Sequence, residues 1–437
     1  MILIALLFWT LSVFFIIDNK LKIGNRPLKI IISFFFTLAV ISIIFFAALL
    51  TKVNYTLLVI VCIALPALFL GYKWGQFKEF ALGIDFKVSK TTIVVLVSIL
   101  IYSLLFFATT SRWGNWDAWA IWTLHAKFLT YDAGYINLFT DATAWTHADY
   151  PLMLPSIIAI IWKSFGNSSP LVPVMASYII GVAVPLTIYF AFKEKNNVVT
   201  GQVILILLTC SIIFIPYASS QLSDSLLGLF ILFPFVLIYL MPKEKPLHCL
   251  FLIGFFAAAS GWVKNEGLLF FAIFSFYYLV WNFRDLNNIK IYALGTILPL
   301  LVLFVFKFFY TPPNDLIDGQ NSAILYKIMD IGRYLTIGRY FISTMLNEFG
   351  LLSALLVLIF FVDYKYYYSF SFIIILTLLV GYFFIYVVTP NDLEWHLSTS
   401  FSRLLHQVLP VFLFTAGVAI SKRVDGGTYK HTSGIYT

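Results

Sequence analysis

Residues 30–50 read IIISFFFTLAVISIIFFAALL, an almost entirely apolar run without a charged side chain. A helix of this length spans roughly 30 Å, which is the thickness of the hydrocarbon core of a bilayer. Similar runs recur along the chain of 437 residues, of which 61% are hydrophobic and only 11% charged. Soluble domains contain about 25% charged residues. The composition therefore excludes a soluble globular protein and a disordered one, and it predicts an all-α polytopic membrane protein.

The apolar pattern divides the chain into three parts. We expect N-terminal transmembrane helices at 1–90, a larger transmembrane module at 91–420, and a cytoplasmic, disordered tail at 421–437. The first apolar run precedes the basic residues around Lys20, which is the wrong charge order for a cleaved signal peptide. The pattern predicts about thirteen transmembrane helices, at 2–17, 30–50, 55–72, 91–110, 170–192, 198–215, 222–240, 247–262, 267–281, 289–310, 340–361, 370–389 and 403–420.

The loop charges predict the orientation, provided that 151–165 does not cross the membrane. One side then holds 18 Lys and Arg against 8 Asp and Glu, and the other holds 10 against 12. These sums of +10 and −2 account for the net charge of +8, and the positive-inside rule makes the basic side cytoplasmic. We therefore predict a re-entrant or surface-lying helix at 151–165. Segment 247–281 is either one long buried helix or two short spans around 262–267.

The predicted outer loop at 111–150 is rich in tryptophan. A helix would place four of its rings on one slowly drifting face, because they recur every three residues. Such a face is either an aromatic belt at the membrane surface or a platform on which sugar rings stack. We take Trp116 as the substrate-binding candidate of the group, which consists of Trp113, Trp116, Trp119 and Trp122.

Asp117 lies among these rings, in the sequence NWDAWAIW at 115–122. A carboxylate in an apolar setting loses hydration, which tends to raise its pKa, and this is the environment of a general base. The alternative is that Asn115 or Asp117 caps the helix.

The outer loop ends in a second polar motif, HADYPLMLP at 147–155. His147 and Asp149 are two residues apart, so in an extended segment they lie on the same side. Together with Asp117 they predict a polar cluster at the outer surface, and Tyr150 beside them is a further substrate-binding candidate. The alternative is a solvated loop in which Asp149 caps the following helix.

Three charged residues interrupt apolar segments near the predicted outer rim. Charged side chains are costly within a membrane, so each of them is a functional candidate. Asp224 begins a span, and either caps that helix or binds substrate hydroxyl groups. Lys264 and Glu266 could form an ion pair with each other. Alternatively, Lys264 could bind a phosphate group.

The loop before the last predicted span gathers further polar residues. Glu394 and His396 precede Arg403, which is expected to open the span from the outside. Arginine offers a planar, permanently charged fork that suits a phosphate group, although an arginine at this depth can also simply reach for the lipid headgroups. His406 lies one turn further on, where a hydrogen-bonded core histidine is the commoner situation.

Cofactor signals are sparse. The three cysteines lie in or beside apolar segments without a zinc-ligand spacing, and the sequence has no GxxxxGK[ST] phosphate loop. Asp117, Asp149 and Asp224 could supply oxygen ligands to Mg²⁺ or Mn²⁺, but no spacing demands a metal. No nucleic-acid partner is expected, because the positive charge is explained by topology.

These motifs together resemble the bacterial GT-C superfamily of integral-membrane glycosyltransferases, near the protein O-mannosyltransferase and aminoarabinose-transferase branch. The likeness runs over about 91–420. It consists of the early loop acid in NWDAWAIW, the closing motif HADYPLMLP, and the later order SDSLLGLF, KNEG and EWHLSTSFSRLLHQVLP. The chain departs from the family at Ala118, where many relatives have the glutamate of an Asp-Glu pair.

The resemblance implies an enzyme of the cell envelope, in the inner membrane, with a GT-C-like fold and an active site on the periplasmic face. Such enzymes transfer a sugar, usually with inversion, from a polyprenyl-phosphate carrier to a glycan, lipid or protein acceptor. The loop acid, here Asp117, is the implied base. Lys264 and Arg403 are the implied ligands of the carrier phosphate. The alternatives are a flippase for a lipid-linked saccharide and a non-catalytic envelope-assembly protein.

Overall fold

The computed structural model describes residues 1–18, 20–21, 23–82, 89–312 and 323–424. Within these ranges the chain is helical and contains no β-strand. Residues 313–322 of the predicted outer region 311–339, and the tail from 425 onward, lie outside the described residues. The α-helices are α1 Ile2–Asp18, α2 Arg26–Leu50, α3 Tyr55–Tyr72, α4 Trp74–Leu82, α5 Lys90–Thr109, α6 Leu124–Leu129, α7 Met153–Phe165, α8 Leu171–Glu194, α9 Val198–Thr209, α10 Phe214–Ser219, α11 Asp224–Leu240, α12 Leu247–Val263, α13 Asn265–Trp281, α14 Leu286–Phe309, α15 Ala323–Met329, α16 Ile331–Asn347, α17 Gly350–Asp363, α18 Phe370–Val388 and α19 Leu393–Val424.

Among the described residues, seven helices are long and apolar enough to cross a membrane. Each of the seven coincides with a predicted span, so the prediction of an all-α, multi-pass membrane protein is confirmed at this level. Five other predicted spans correspond to apolar helices of 12 to 17 residues. The seven long helices are α2, α3, α5, α8, α14, α18 and α19.

Three predicted boundaries are wrong, and polar residues explain two of them. The predicted span at 340–361 is broken between α16 and α17, which meet at 86°. The break falls at Glu348, whose carboxylate accepts a hydrogen bond of 2.6 Å from Ser402. Helix α19 begins at Leu393, ten residues before the predicted span, because Asp392 caps it and its polar first turns are hydrogen-bonded within the protein. The segment 198–215 is divided between α9 and α10.

Three helices form the centre of the molecule. Every residue of α11 except one is buried, α12 is nearly as enclosed, and 94% of the apolar window of α19 is buried. By contrast, only 17% of the corresponding window of α5 and 28% of that of α3 are buried. The central helices are therefore shielded by other helices, while α3 and α5 present their apolar side chains outward, as lipid-facing helices do.

The most extensive helix contact in the described part of the chain joins α12 to α14. A Cβ atom placed on Gly254 would lie 2.1 Å from the backbone oxygen of Tyr292, and one on Gly295 would lie 2.1 Å from that of Phe251. Small residues allow two helix backbones to approach in this way. The α12–α14 contact fixes the position of the C-terminal end of α12, where Lys264 lies.

The stretches predicted to lie on the outer side are 111–150, the turn around 217–225, 311–339 and 390–403, and their described residues meet at one end of the bundle. Arg403 contacts Asp117 of the long loop and Asp224 at the start of α11. Arg333 caps the C-terminal end of α18 by donating to the backbone oxygens of Tyr386 and Val387. The predicted topology is therefore consistent in three dimensions at this end.

Two predicted cytoplasmic loops meet elsewhere. The backbone nitrogen of Gly24 donates a 2.6 Å hydrogen bond to Glu194, which joins the α1–α2 loop to the end of α8. Lys29 and Asp18 form an ion pair within the first of these loops.

Helix α7 occupies the segment whose crossing was in question. Its 13 residues span roughly 20 Å, which is less than the hydrocarbon core. Both of its ends adjoin the long outer loop: it begins at Met153, three residues after Tyr150, and its end is held by the Lys163–Asp132 ion pair. A hydrogen bond of 2.8 Å from Lys127 to Ser168 adds to this contact. Both ends of α7 therefore lie beside the long loop.

Candidate active site

Asp117 lies at the start of a short helix in the long loop. Asn115 caps this helix, since its side-chain oxygen accepts a 3.1 Å hydrogen bond from the nitrogen of Ala118. The next turn, Ala118–Thr123, is a π-helix, and Thr123 donates to the backbone oxygen of Ala118. Asn115 therefore fulfils the capping role, and the Asp117 carboxylate is directed at Arg403.

The prediction that four tryptophans share one face is wrong. The helix begins only after Trp113, and its π-turn changes the angular spacing of the later rings. Trp122 is fully buried, whereas Trp116 is 63% exposed and packs edge-to-face against Trp119 with ring centres 4.5 Å apart. Only the first three rings are therefore available at the surface.

The centre of the site is an alternating row of charges that we call the ion chain. Asp224 is completely buried between two cations, Lys264 at 2.9 Å and Arg403 at 3.2 Å. Each cation contacts a second acid, Glu266 at 2.7 Å from the lysine and Asp117 at 2.5 Å from the arginine. Asp224 therefore neither caps its helix nor reaches solvent: it bridges the two cations. The chain runs in the order Asp117, Arg403, Asp224, Lys264 and Glu266.

A break of one residue places Lys264 in this chain. Helix α12 ends at Val263 and α13 begins at Asn265, so 247–281 forms two helices, and Lys264 between them is extended, with φ −161° and ψ 157°. A Cβ atom on Gly267 would lie 1.9 Å from the backbone oxygen of Ser260, so only glycine lets α13 fold back on α12 here. The pairing of Lys264 with Glu266 is confirmed. The ammonium group is almost fully buried and is held by two carboxylates.

Arg403 lies within α19, roughly 15 Å from the start of the helix, and does not open it. Its Nε donates to Asp224, and Nη1 donates to Asp117. Only 16% of the side chain is exposed, so it is embedded in the protein and does not extend to lipid headgroups.

The end of the long loop attaches to the same site through Asp149. This buried carboxylate accepts a hydrogen bond of 2.9 Å from the side-chain amide of Asn265, and the ammonium group of Lys307 lies 3.4 Å away. Lys307 also donates to the backbone oxygen of Asp149. The sequence interpretation missed Lys307, although a lysine in the apolar run at 289–310 met the same criterion as Lys264.

Tyr150 connects the two groups of charges. Burial, followed by the nearby charges of Glu266 and Asp149, raises the pKa of Tyr150 well above its usual value. Asp117 and Arg403 also act on this phenol. Tyr150 therefore remains a neutral hydroxyl group at neutral pH and can donate a hydrogen bond. Of the predicted cluster, Asp117 and Asp149 both act on the Tyr150 phenol, and His147 stacks on its ring.

His147 and His396 lie at the edge of this region. His147 has a left-handed backbone, with φ 54°, and stacks on Tyr150 at 4.9 Å. His396 receives or donates a hydrogen bond at Thr389, 2.8 Å away, and packs against Tyr386. Both therefore adjoin the charged site rather than forming a separate one.

Glu394 lies apart from the ion chain, in a surface cavity of about 780 Å³ between α16 and the start of α19. Trp395, which is 58% exposed, and Tyr340 supply aromatic surface. The remaining walls are mostly polar or charged, and they are formed by Thr336, Arg339, Ser343, Asp392, Leu397 and Ser398.

Two further side chains complete the buried end of the site. Gln407, one turn below Arg403, donates to Asp224, and sequence reasoning missed it. His406 hydrogen-bonds Ser225 at 2.9 Å and stacks on Phe214, which fits the expected core histidine.

The acids do not assemble as metal ligands. In the described part of the chain, no group of three or more His, Cys, Asp or Glu side chains is arranged to hold an ion. Asp117, Asp149 and Asp224 instead direct their oxygens at Arg403, Asn265 and Lys264, respectively.

Comparison with known proteins adds no assignment: no family model, curated protein or solved structure matches the chain.

Proposed function

We propose that the protein is a membrane glycosyltransferase that moves a sugar from a polyprenyl-phosphate donor to an acceptor. The observation that carries this proposal is the contact between Asp117 and Arg403, which places a partly exposed acid beside a permanent cation. A phosphate leaving group gains from a cation, and an acceptor hydroxyl needs a base within about 3 Å. Asp117 and Arg403 supply both groups at one place.

The proposed reaction divides the work between these two side chains. The Asp117 carboxylate takes the proton of the acceptor hydroxyl while the acceptor oxygen attacks the anomeric carbon. The bond between that carbon and the phosphate oxygen breaks, and Arg403 stabilises the phosphate that leaves. Attack opposite the leaving group inverts the anomeric centre. Tyr150, with its raised pKa, donates a hydrogen bond to a sugar or phosphate oxygen.

The surroundings of the site offer places for the rest of the substrates. The exposed rings of Trp116 and Trp119 suit stacking on a sugar or contact with lipid. The cavity beside Glu394 has the volume of a ligand site and combines an aromatic ring with carboxylates and hydroxyl groups, as carbohydrate acceptors require. We assign the acceptor, whether glycan, lipid or protein, to this side of α19.

We extend the proposal to the architecture. The thirteen predicted spans would form a GT-C-like arrangement in the inner membrane, with residues 91–420 as the catalytic module and the charged end facing the periplasm. Support comes from the meeting of the predicted outer stretches at that end, and from the contacts that join the end of α7 to the long loop. The buried Lys264 would position Asp224 and would not itself bind phosphate.

The test is transfer by the purified full-length protein from a polyprenyl-phosphate sugar, with the donor identified by mass spectrometry of lipid-linked sugars in a deletion strain. We expect Asp117→Asn and Arg403→Ala to lower transfer by about 100-fold or more. Asp141→Asn, which removes an exposed acid from the same loop, is the matched control and retains activity. Wild-type transfer by both Asp117→Asn and Arg403→Ala would refute the assignment.

A flippase for lipid-linked saccharides is the second candidate, favoured by one observation. The break at Lys264 puts charged residues at the junction of two apolar helices, and broken helices with buried charges are common in transporters. A flippase moves the lipid-linked sugar without covalent change. If the protein moves lipid-linked sugar across the membrane of proteoliposomes and forms no glycosidic product, it is a flippase and not a glycosyltransferase.

A further inference from the structure

Asp117 occupies part of the edge of Arg403 that a phosphate group would use. The guanidinium has one edge formed by Nη1 and Nη2, which binds two oxygens of a phosphate at once. Asp117 holds Nη1 at 2.5 Å. Within the described part of the chain, Nη2 has no hydrogen-bond acceptor. The edge is thus half occupied by a carboxylate of the protein itself.

Asp224 fixes the direction of this edge. It accepts a hydrogen bond from Nε, on the opposite side of the guanidinium, and is completely buried. Lys264 and Gln407 hold its other oxygen. Because Asp224 is anchored by three donors, Arg403 keeps its Nη1–Nη2 edge towards Asp117, whose side chain is 29% exposed. The exchangeable partner of Arg403 is therefore Asp117 and not Asp224.

The charges of the ion chain favour such an exchange. Its three carboxylates and two cations give a net charge of −1. Without Asp117 the remaining four groups sum to zero. An incoming phosphate therefore meets both a competing carboxylate and a net negative charge as long as Asp117 stays on Arg403.

We propose that the donor phosphate displaces Asp117 from Arg403, and that this displacement frees the carboxylate to act as the base. The inference rests on the proposed function and adds an order of events to it. The donor is a phosphodiester with charge −1, and the released carboxylate also carries −1. After transfer, the acceptor proton is on Asp117 and the carrier is a phosphate monoester with charge −2, so charge and atoms balance. The base is thus held on Arg403 until a donor has bound.

The experiment measures binding of a polyprenyl monophosphate to the full-length protein in lipid nanodiscs. We expect Asp117→Asn to bind this probe about tenfold more tightly than wild type, because the competing carboxylate is gone. The same variant loses transfer. Asp117→Glu retains the competing charge and binds the probe like wild type. Monodispersity and thermal unfolding establish that each variant is folded. If Asp117→Asn does not fold, Asp117→Ser takes its place.

Glu266→Gln is the matched control, because it removes the same charge from the ion chain without touching Arg403. A gain in affinity for Asp117→Asn that clearly exceeds the gain for Glu266→Gln supports displacement at the arginine. Equal gains would show a general charge effect and overturn the inference, as would unchanged or weaker binding by Asp117→Asn. Both of these results leave the proposed function intact if wild type transfers sugar. Failure of wild type to bind the probe would overturn the proposed donor and the inference together.

Discussion

Asp224 is the residue on which the ion chain most depends, because it touches both cations from a fully buried position. Removing one member of a buried ion pair typically costs about 3–5 kcal/mol, and the loss here falls at the lower end because Lys264 and Arg403 each keep a second acid. We therefore expect Asp224→Asn to lower the free energy of unfolding by about 3 kcal/mol. Asp117→Asn, at the partly exposed end, costs less than about 1 kcal/mol. Unfolding of both variants in one detergent measures the difference, and equal losses would contradict it.

His125 makes the stability of the long loop depend on pH. It is fully buried, with Nε2 donating to the backbone oxygen of Thr146 at 3.0 Å, and burial lowers the pKa of His125 to about 3. An unfolded histidine titrates near pH 6.5, so between these values the unfolded state binds more protons. The contribution of His125 is present above about pH 6.5, and is lost as the pH falls from there towards 3, by about 1.4 kcal/mol per pH unit.

His125→Gln tests this prediction, because the amide can still donate to Thr146 but does not titrate in this range. We expect the variant to lose less stability than wild type between pH 6.5 and 4.5, measured by thermal unfolding. His147 is another histidine of the same loop, so His147→Gln is the control and should retain the wild-type slope. If the two variants have the same slope, His125 is not the titrating group.

At the scale of elements, the contact of α12 with α14 depends on glycine. An alanine at Gly254 would press its Cβ against backbone, which cannot yield as a flexible side chain does. Overpacking of this kind costs about 1–3 kcal/mol. We expect that loss for Gly254→Ala, whereas Gly338→Ala in α16 enters open space and gains about 0.5–1 kcal/mol of helix propensity. Unfolding in sodium dodecyl sulfate compares the two, and a neutral Gly254→Ala would show that the helices separate easily.

The sequence predicted apolar elements well and polar ones poorly, for one physical reason. Lipid-facing helices such as α5 must be apolar along their whole length, so hydropathy alone finds them. The first turns of α19 are polar and largely exposed, with His396 and Ser400 bonded to other segments, and the pattern there was interpreted as a loop. The break at Glu348 was missed because a hydrogen bond to Ser402 has no signal in local sequence.

The candidate site was more predictable than these boundaries. Buried charges are rare in a membrane, so Asp224, Lys264 and Arg403 were identified without knowledge of their partners. Which acid faces which cation depends on the folding of five segments together, and no local pattern contains it. Lys264 illustrates this, because its two acidic neighbours are Glu266, which is close in sequence, and Asp224, which is not.

At the scale of the whole molecule, the decisive question is whether α7 crosses the membrane, because every later loop changes side with it. The contacts of Lys163 and Lys127 hold the end of α7 to the long loop, so Asn167 should share a side with Asp141. The exposed Lys243, between α11 and α12, should lie on the other side.

Single cysteines at these three positions test the topology in intact cells. The background is the chain with Cys210→Ser, since Cys210 is exposed while Cys62 and Cys249 are buried. We expect a membrane-impermeant maleimide to label Asp141→Cys and Asn167→Cys, and to label Lys243→Cys only after the cells are opened. The positive-inside sum gives the direction, because the basic loops belong to the cytoplasm. Labelling of Lys243→Cys together with Asp141→Cys, and protection of Asn167→Cys, would mean that α7 crosses. The ion chain would still be one cluster, because its contacts do not depend on the direction of the membrane, but the transfer reaction could no longer be assigned to the periplasmic face.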